Sequence, residues 1–313
     1  MPNMTRARPA EPRIFHQVSW SDSLADHVAE AAADWFAEDL GHECDWTSVG
    51  LIPADDFSEL DVVVREQGVI AGLEAAAVVA RVAGNGLYWQ PAVSEGSRVT
   101  PGTVVARLTG PTRSVLAAER VILNLLGRMS GVAWATRQLV DAVRGTPCHI
   151  YDTRKTIPGW RLLDKYAVGL GGGFNHRLGL YDAILIKDNH LAALAVHEIG
   201  PTEAVRRSRD FVAKAFPPAR AQAMIVEVEL DGLADFADVL ATEPDVILLD
   251  NMPPEMLAEA VAIRSRVGSA TILEASGGVR LDTVAAIART GVDRISTGWP
   301  THHAPWLDVG LDW

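Results

Sequence analysis

Between Leu24 and Leu40, apolar side chains recur at helical spacing: Leu24, Val28, Ala31, Trp35 and Leu40. With Ser23 as N-cap and Gly41 as the stop, this pattern predicts one amphipathic helix. From Asp61 to Gly110 the pattern shortens to β-rich runs, VVVREQGVIAGL and LYWQPAVSEGSRVTPGTVVARLTG, broken by glycine and proline turns. These predict a small antiparallel sheet with one helix packed on it. A long helix follows, from about Thr112 to Arg144, with Arg120, Asn124 and Arg128 on neighbouring turns.

Beyond Gly145 short apolar runs alternate with helical patterns. Strands are expected at CHIYDT (148–153), DAILIK (182–187), MIVEVE (224–229), DVILLD (245–250), TILEAS (271–276) and DRISTG (293–298), with helices at 253–266 and 281–290 among the spacers. Repeated β-α units imply parallel strands with right-handed crossovers, and this spacing suits a small barrel. Polar residues collect at one end of the strands: Asp152 to Lys155, Lys187-Asp188, Glu229, Asp250-Asn251, Ser276-Gly277-Gly278 and Thr297-Gly298. In (β/α) barrels the C-terminal strand ends and their loops build the active site, so these groups are expected at one mouth.

The composition, 48% hydrophobic and 22% charged in 313 residues, excludes a mainly disordered chain. No uncharged apolar stretch approaches the roughly 20 residues of a membrane span, and the opening MPNMTRARPAEPR carries no apolar segment behind its arginines. Cys44 and Cys148 lie far apart and match no metal spacing, which excludes a disulfide framework and points to reduced, buried thiols in a cytoplasmic protein. A net charge of −12 argues against nucleic-acid binding. The window 151–190 runs the other way, with six basic and four acidic side chains. It holds three of the chain's four lysines, Lys155, Lys165 and Lys187. A compact ammonium suits anionic small molecules, and a solvated basic face fits the same count.

The glycine turns at Ser276-Gly277-Gly278 and Thr297-Gly298 expose backbone N–H groups that can cradle a phosphate, although a tight β-α turn needs the same residues. Glu229 and Asp250 end adjacent strands. Oxygen donors without nearby His or Cys suit Mg²⁺, and two carboxylates satisfied by arginines is the other reading. Arg154, Lys155, His176, Arg177 and Lys187 crowd the central stretch, where two arginines could each fork a carboxylate. An aldolase-type Schiff base on Lys187 is also open, since its flank AILI is apolar. The spacing alone does not separate anion binding from covalent catalysis.

The string VSEGSRVTPGTVVARL resembles the hairpins of biotinyl or lipoyl carrier domains, yet the first 154 residues contain no lysine to modify. A second resemblance spans nearly the whole chain. It runs from EDLG at 38–41 through AERVILN at 118–124 to RKTxPG, GGGxNHRxGLYD, ILIKDNH, LLDN, EASGG and the closing THxAP. In these motifs the chain resembles the quinolinate phosphoribosyltransferases, also called nicotinate-nucleotide pyrophosphorylases (carboxylating).

The resemblance implies an α/β fold: an N-terminal α/β sandwich over 1–125, then an incomplete, about six-stranded (β/α) barrel over 126–299, with the tail 300–313 returning to the first domain. It implies transfer of phosphoribosyl from PRPP (phosphoribosyl pyrophosphate) to quinolinate, releasing nicotinate mononucleotide, pyrophosphate and CO₂ on the de novo route to NAD. Arg154, His176, Arg177 and Lys187 would hold quinolinate, with Arg120 donated across the interface of a homodimer, or of a hexamer built from dimers. Lys155 would lie between the substrates. Glu229 and Asp250 would take the ribose hydroxyls and Mg²⁺, and Ser276, Gly277, Gly298 and His302 the rest of PRPP. Lys155, Lys187, Glu229 and Asp250 are the catalytic candidates.

Several positions depart from the family pattern: Glu43-Cys44, Ile157, Trp160, Trp299 and His303. A paralogue using another acceptor, such as nicotinate or the acceptor of a molybdenum-associated homologue, is the nearest alternative. A Schiff-base aldolase and a non-catalytic sensor of quinolinate or PRPP are the others.

Overall fold

The computed structural model describes residues 14–84 and 86–313. The opening segment MPNMTRARPAEPR, read above for a leader, lies outside them. Contacts divide the chain into two compact units interleaved in sequence. One comprises 17–140, 155–174 and 298–313; the other comprises 141–154 and 175–297 together with the described residues up to His16.

The first unit is built on a four-stranded antiparallel sheet. Its strands are Phe57–Val64, Tyr88–Pro91, Val104–Pro111 and Val309–Asp312, the last drawn from the chain's tail. The tail strand pairs with Phe57–Val64, Asp312 opposite Asp61 and Val309 opposite Val64. Alternating Leu60, Val62 and Val64 turn inward and are buried, the period-two pattern of a sheet covered on one face.

The first helix spans Asp22–Leu40, and its N-cap is Ser21, two residues before the expected Ser23. Ser21 Oγ accepts the N–H of Leu24, and Asp22 then lies in the first turn, where a negative charge complements the helix dipole. A second helix, Leu73–Ala83, occupies a stretch whose surroundings read as β-rich. Alanine-rich EAAAVVARVA is a strong helix former, and with Ala75, Ala76, Val78, Val79 and Ala80 all buried, only Glu74 and Arg81, seven residues apart, mark its exposed side.

The long helix, Thr112–Ala142, carries 31 residues, most of its inner positions being apolar. Arg128 is buried on it, paired with Asp164 at 2.9 Å and donating to Thr301 O. Gly127 and Gly131 let the tail pass at backbone distance. Leu307 N donates to Gly127 O at 3.0 Å, and a Cβ on Gly131 would overlap the carbonyl oxygen of Pro305.

The second unit contains one six-stranded, all-parallel sheet in the order His149–Tyr151, Arg294–Ser296, Ile272–Ser276, Val246–Asp250, Val226–Leu230, Ile184–Ile186. All six expected strands form, as an incomplete barrel whose first and last members in this order do not pair. The helices Pro254–Val267 and Val284–Ala288 lie where the pattern put them.

Two expectations about burial need correction. Cys44 is half-exposed rather than buried, whereas Cys148 is buried and desolvation, with the charges of Asp293 and Glu274, pushes its thiol up to about 12. Lys165 is wholly enclosed within the first unit, so it cannot serve a solvent-reachable anion site and the lysine cluster contracts to Lys155 and Lys187. Among the described residues no helix is long and apolar enough to cross a membrane.

Gly131→Ala should lower stability by about 1–3 kcal/mol, because backbone rather than a flexible side chain occupies the space. A mid-helix glycine without such a neighbour gains roughly 0.5–1 kcal/mol on the same change. The sign of the shift in a denaturant midpoint decides between the two.

Candidate functional site

Asp152, at the end of the His149–Tyr151 strand, is 1% exposed and organises the cationic end of the barrel. Its carboxylate accepts the backbone N–H of His176 at 2.7 Å and Asn175 Nδ2 at 2.9 Å. The loop carrying His176 and Arg177 is thereby tied beside Arg154. Arg177 is buried and donates to Ala183 O at 3.3 Å. Desolvation, then the charge of Arg154, lowers the pKa of Arg177. Arg154 Nε is buried without a hydrogen-bond acceptor. Two guanidinium groups that repel one another, one with an orphaned donor, suit a ligand with more than one negative charge.

Four neighbouring strands end in the remaining barrel candidates. Lys187, the N-cap of the helix Asp188–Ala195, ion-pairs through Nζ with Glu229 on the adjacent strand. The Lys187 side chain is 42% exposed, an arrangement for a charged, non-covalent cation rather than for an amine desolvated to form a Schiff base. Asp250 accepts Asn251 Nδ2 at 2.6 Å and stands opposite Ser276 in the sheet register. Asn251 and Gly277 both adopt left-handed backbone, φ 54° and 88°, and a Cβ on Gly277 would collide with the Asn251 amide. Glycine is required there, and the turn leaves its backbone bare.

The first unit holds the other candidates: Arg120, Lys155, Gly298 and His302. Thr301 Oγ1 donates to Lys155 O at 2.7 Å. A Cβ on Gly298 would come within 2.8 Å of the His302 ring and 3.0 Å of Lys155 Cδ. Burial, then the positive charges of His303 and Lys155, lowers the pKa of His302, as in a pocket short of anions. Arg120 is largely exposed, with the Glu119 carboxylate 3.7 Å away.

Pattern reading missed a cluster inside the barrel. His176 Nε2 lies 3.2 Å from Glu227 and 3.3 Å from Glu274, both glutamates fully buried, and the ring stacks on Phe15 at 4.2 Å. Burial alone would lower the imidazole pKa, but the two carboxylates raise it to about 10. His176 Nδ1 accepts the N–H of Arg177 at 2.8 Å, and Nε2 faces the two glutamates. Burial raises the pKa of Glu227 against the positive charge of His176, while His176 and Arg294 lower that of Glu274 against its own burial. The sequence signal was available: Glu227 and Glu229 are two apart on one strand and share a face, and Glu274 sits mid-strand among apolar residues.

Family models for quinolinate phosphoribosyl transferase match the chain twice, the N-terminal domain at 45–130 and the C-terminal domain at 132–312. The chain belongs to the quinolinate phosphoribosyl transferase family. It is 42% identical over 295 residues to the nicotinate-nucleotide pyrophosphorylase (carboxylating) of Mycobacterium leprae, covering 92% of this chain and 99% of that one. Its structure is similar to that of the nicotinate-nucleotide pyrophosphorylase of Francisella tularensis, with a TM-score of 0.85, 33% identity and coverage of 96% and 99%. NadC from Streptococcus pyogenes is comparable, with a TM-score of 0.83, 32% identity and coverage of 94% and 98%.

Trp160 packs on Trp35 with ring centroids 5.3 Å apart, Ile157 is about half exposed, and Trp299 opens the short helix Trp299–His302 half-buried.

The crowded arginines predict that a benzene-1,2-dicarboxylate, phthalate, raises the melting temperature of this quinolinate phosphoribosyl transferase family member. At about 100 times its Kd the ligand contributes about 2.7 kcal/mol, a shift of several degrees. Arg154→Gln and Arg177→Gln should each abolish the shift in a thermal melt, and a benzoate control should give little of it.

Proposed function

We propose that this chain is a quinolinate phosphoribosyltransferase, forming nicotinate mononucleotide, pyrophosphate and CO₂ from quinolinate and PRPP. The observation that carries the reading is the Arg154–Arg177 pair, mutually repelling and with a buried donor unmet. A pyridine bearing adjacent carboxylates supplies the two negative charges that this pair lacks. Arg154, Arg177, His176 and Lys187 serve the quinolinate half of the reaction. Lys155, Glu229, Asp250, Ser276, Gly277, Gly298 and His302 serve PRPP.

The chemistry asks these residues mainly for positioning. As pyrophosphate leaves, positive charge develops on the ribose ring, where carboxylates such as Glu229 and Asp250 stabilise it. Once the pyridine nitrogen is alkylated, its own charge stabilises the carbanion left as the 2-carboxylate departs as CO₂, and that carbon then takes a proton from water to give nicotinate mononucleotide. Lys187 keeps Glu229 oriented and contributes a fixed positive charge.

Glu229 and Asp250 also fit Mg²⁺: each engages one carboxylate oxygen in the bonds described, leaving Glu229 Oε1 and Asp250 Oδ1 available as hard oxygen donors. Bound there, Mg²⁺ would neutralise charge on the pyrophosphate as it leaves. The two free cysteines favour a cytoplasmic setting for the enzyme.

Purified protein supplied with PRPP, Mg²⁺ and quinolinate labelled at the 2-carboxylate should release labelled CO₂ in step with nicotinate mononucleotide, and a chelator should stop both. Nicotinate should turn over at least about a hundredfold less efficiently, because a missing carboxylate leaves a buried cation unpaired. Equal use of nicotinate would instead identify a paralogue with a different acceptor.

Arg120 we assign to the neighbouring subunit's quinolinate, within a homodimer or a hexamer of dimers; its exposed guanidinium, paired only loosely with Glu119, supports an outward reach. Arg120→Ala and Lys187→Ala proteins should each be nearly inactive. After verified subunit exchange, the mixture should recover up to about a quarter of wild-type activity, since half the dimers are mixed and each carries one intact site. Exchange without recovery would confine Arg120 to its own chain.

A further inference from the structure

A fully buried pair of carboxylates inside a small barrel is a costly choice, because leucines of similar volume would fill the space and stabilise it more. Glu227 and Glu274 nevertheless come from two different strands to meet one imidazole, at 3.2 and 3.3 Å. Arg294 offsets their charge, with Nη1 4.0 Å from Glu274 and its guanidinium over Tyr151 at 4.7 Å and over Phe15 at 5.5 Å. The only hydrogen bond that leads from this cluster toward the cationic pair is His176 Nδ1 accepting the N–H of Arg177 among the interactions described. With Nε2 turned to the glutamates and one face on Phe15, the ring presents no ring nitrogen of its own to a ligand. Its effect on a ligand passes through the backbone of Arg177.

Resting on the functional reading above, we propose that Glu227 and Glu274 are positioning residues for quinolinate: they fix the tautomer and orientation of His176, which in turn holds Arg177 against Arg154. Asp152 secures the same loop from the other side through the N–H of His176. The loop is thus clamped at two successive backbone amides, and the repulsion between the guanidiniums is borne by the barrel interior. Removing either glutamate lets the ring turn and Arg177 relax away from its neighbour. A misplacement of about 1 Å in such a group can cost on the order of a hundredfold.

The test uses Glu227→Gln and Glu274→Gln in the full-length enzyme. Each should raise KM for quinolinate at least about tenfold while KM for PRPP stays within about twofold, and Glu274→Asp should recover part of the loss. In wild-type protein, imidazole ¹⁵N spectra should show His176 as a single Nε2–H tautomer with an accepting Nδ1, and the glutamine variants should lose that signature. Equal rises in both KM values, or an unchanged quinolinate KM in a variant whose His176 signature is lost, would overturn the proposal. So would a His176 ring with both nitrogens exchanging in the wild type, or a stoichiometric transition metal in the purified protein, which would make the glutamates its ligands. The spectra read the clamp without turnover, so an inactive wild type would remove the functional reading alone.

Discussion

Like charges held together against their repulsion govern the barrel end of this protein. Burial and the charge of Arg154 lower the pKa of Arg177 more than Glu227 and Asp182 raise it, and Arg154 Nε is buried without a hydrogen-bond acceptor. Such an arrangement lasts only if the surrounding structure over-determines it. Asp152 on the outer side and the His176 cluster on the inner side supply that constraint, both from elements fixed by the parallel sheet. The cost in stability is the means of recognition, since a ligand that brings two negative charges recovers what folding gave up.

The same logic explains how an acidic protein binds polyanions. A chain carrying −12 repels them at long range, but screening over about 8–10 Å at physiological salt confines that field. Within a site, the local balance decides. Burial, then neighbouring cations, lowers the pKa of His302, beside Lys155, and of Arg177, beside Arg154. At His176 burial lowers the pKa too, but Glu227 and Glu274 outweigh it and raise it.

Much of this was legible from the chain. Strands of the parallel sheet announce themselves as short apolar runs with chemistry at one end, because βα units bury both faces and leave only the strand ends polar. The family motifs lie at those same ends. What escaped notice was polarity that points inward. A glutamate in the middle of an apolar run, as in MIVEVE or TILEAS, reads as an interruption until the fold shows that His176 arrives from a distant loop to meet it. The helix Leu73–Ala83 escaped for the complementary reason: only Glu74 and Arg81 mark its exposed side, too few polar positions to stand out in an apolar stretch. Lys165 misled in the opposite sense, because a count of lysines in a window says nothing of which are enclosed.

Strain at the strand ends belongs to the same economy. Asn251 takes a left-handed conformation that non-glycine residues seldom adopt, and its side chain occupies the space that a Cβ on Gly277 would need. The two positions therefore lock one another: the Asn251 amide steadies Asp250, and the bare backbone of Gly277 is what permits the amide to sit there. Asn251 N also donates to Ser276 O at 2.8 Å, closing the link between the two strands. A carboxylate and a bare glycine turn are thus set by a single contact. Backbone strain of this kind costs on the order of 1–3 kcal/mol, and it persists here because one contact orients groups on two strands at once.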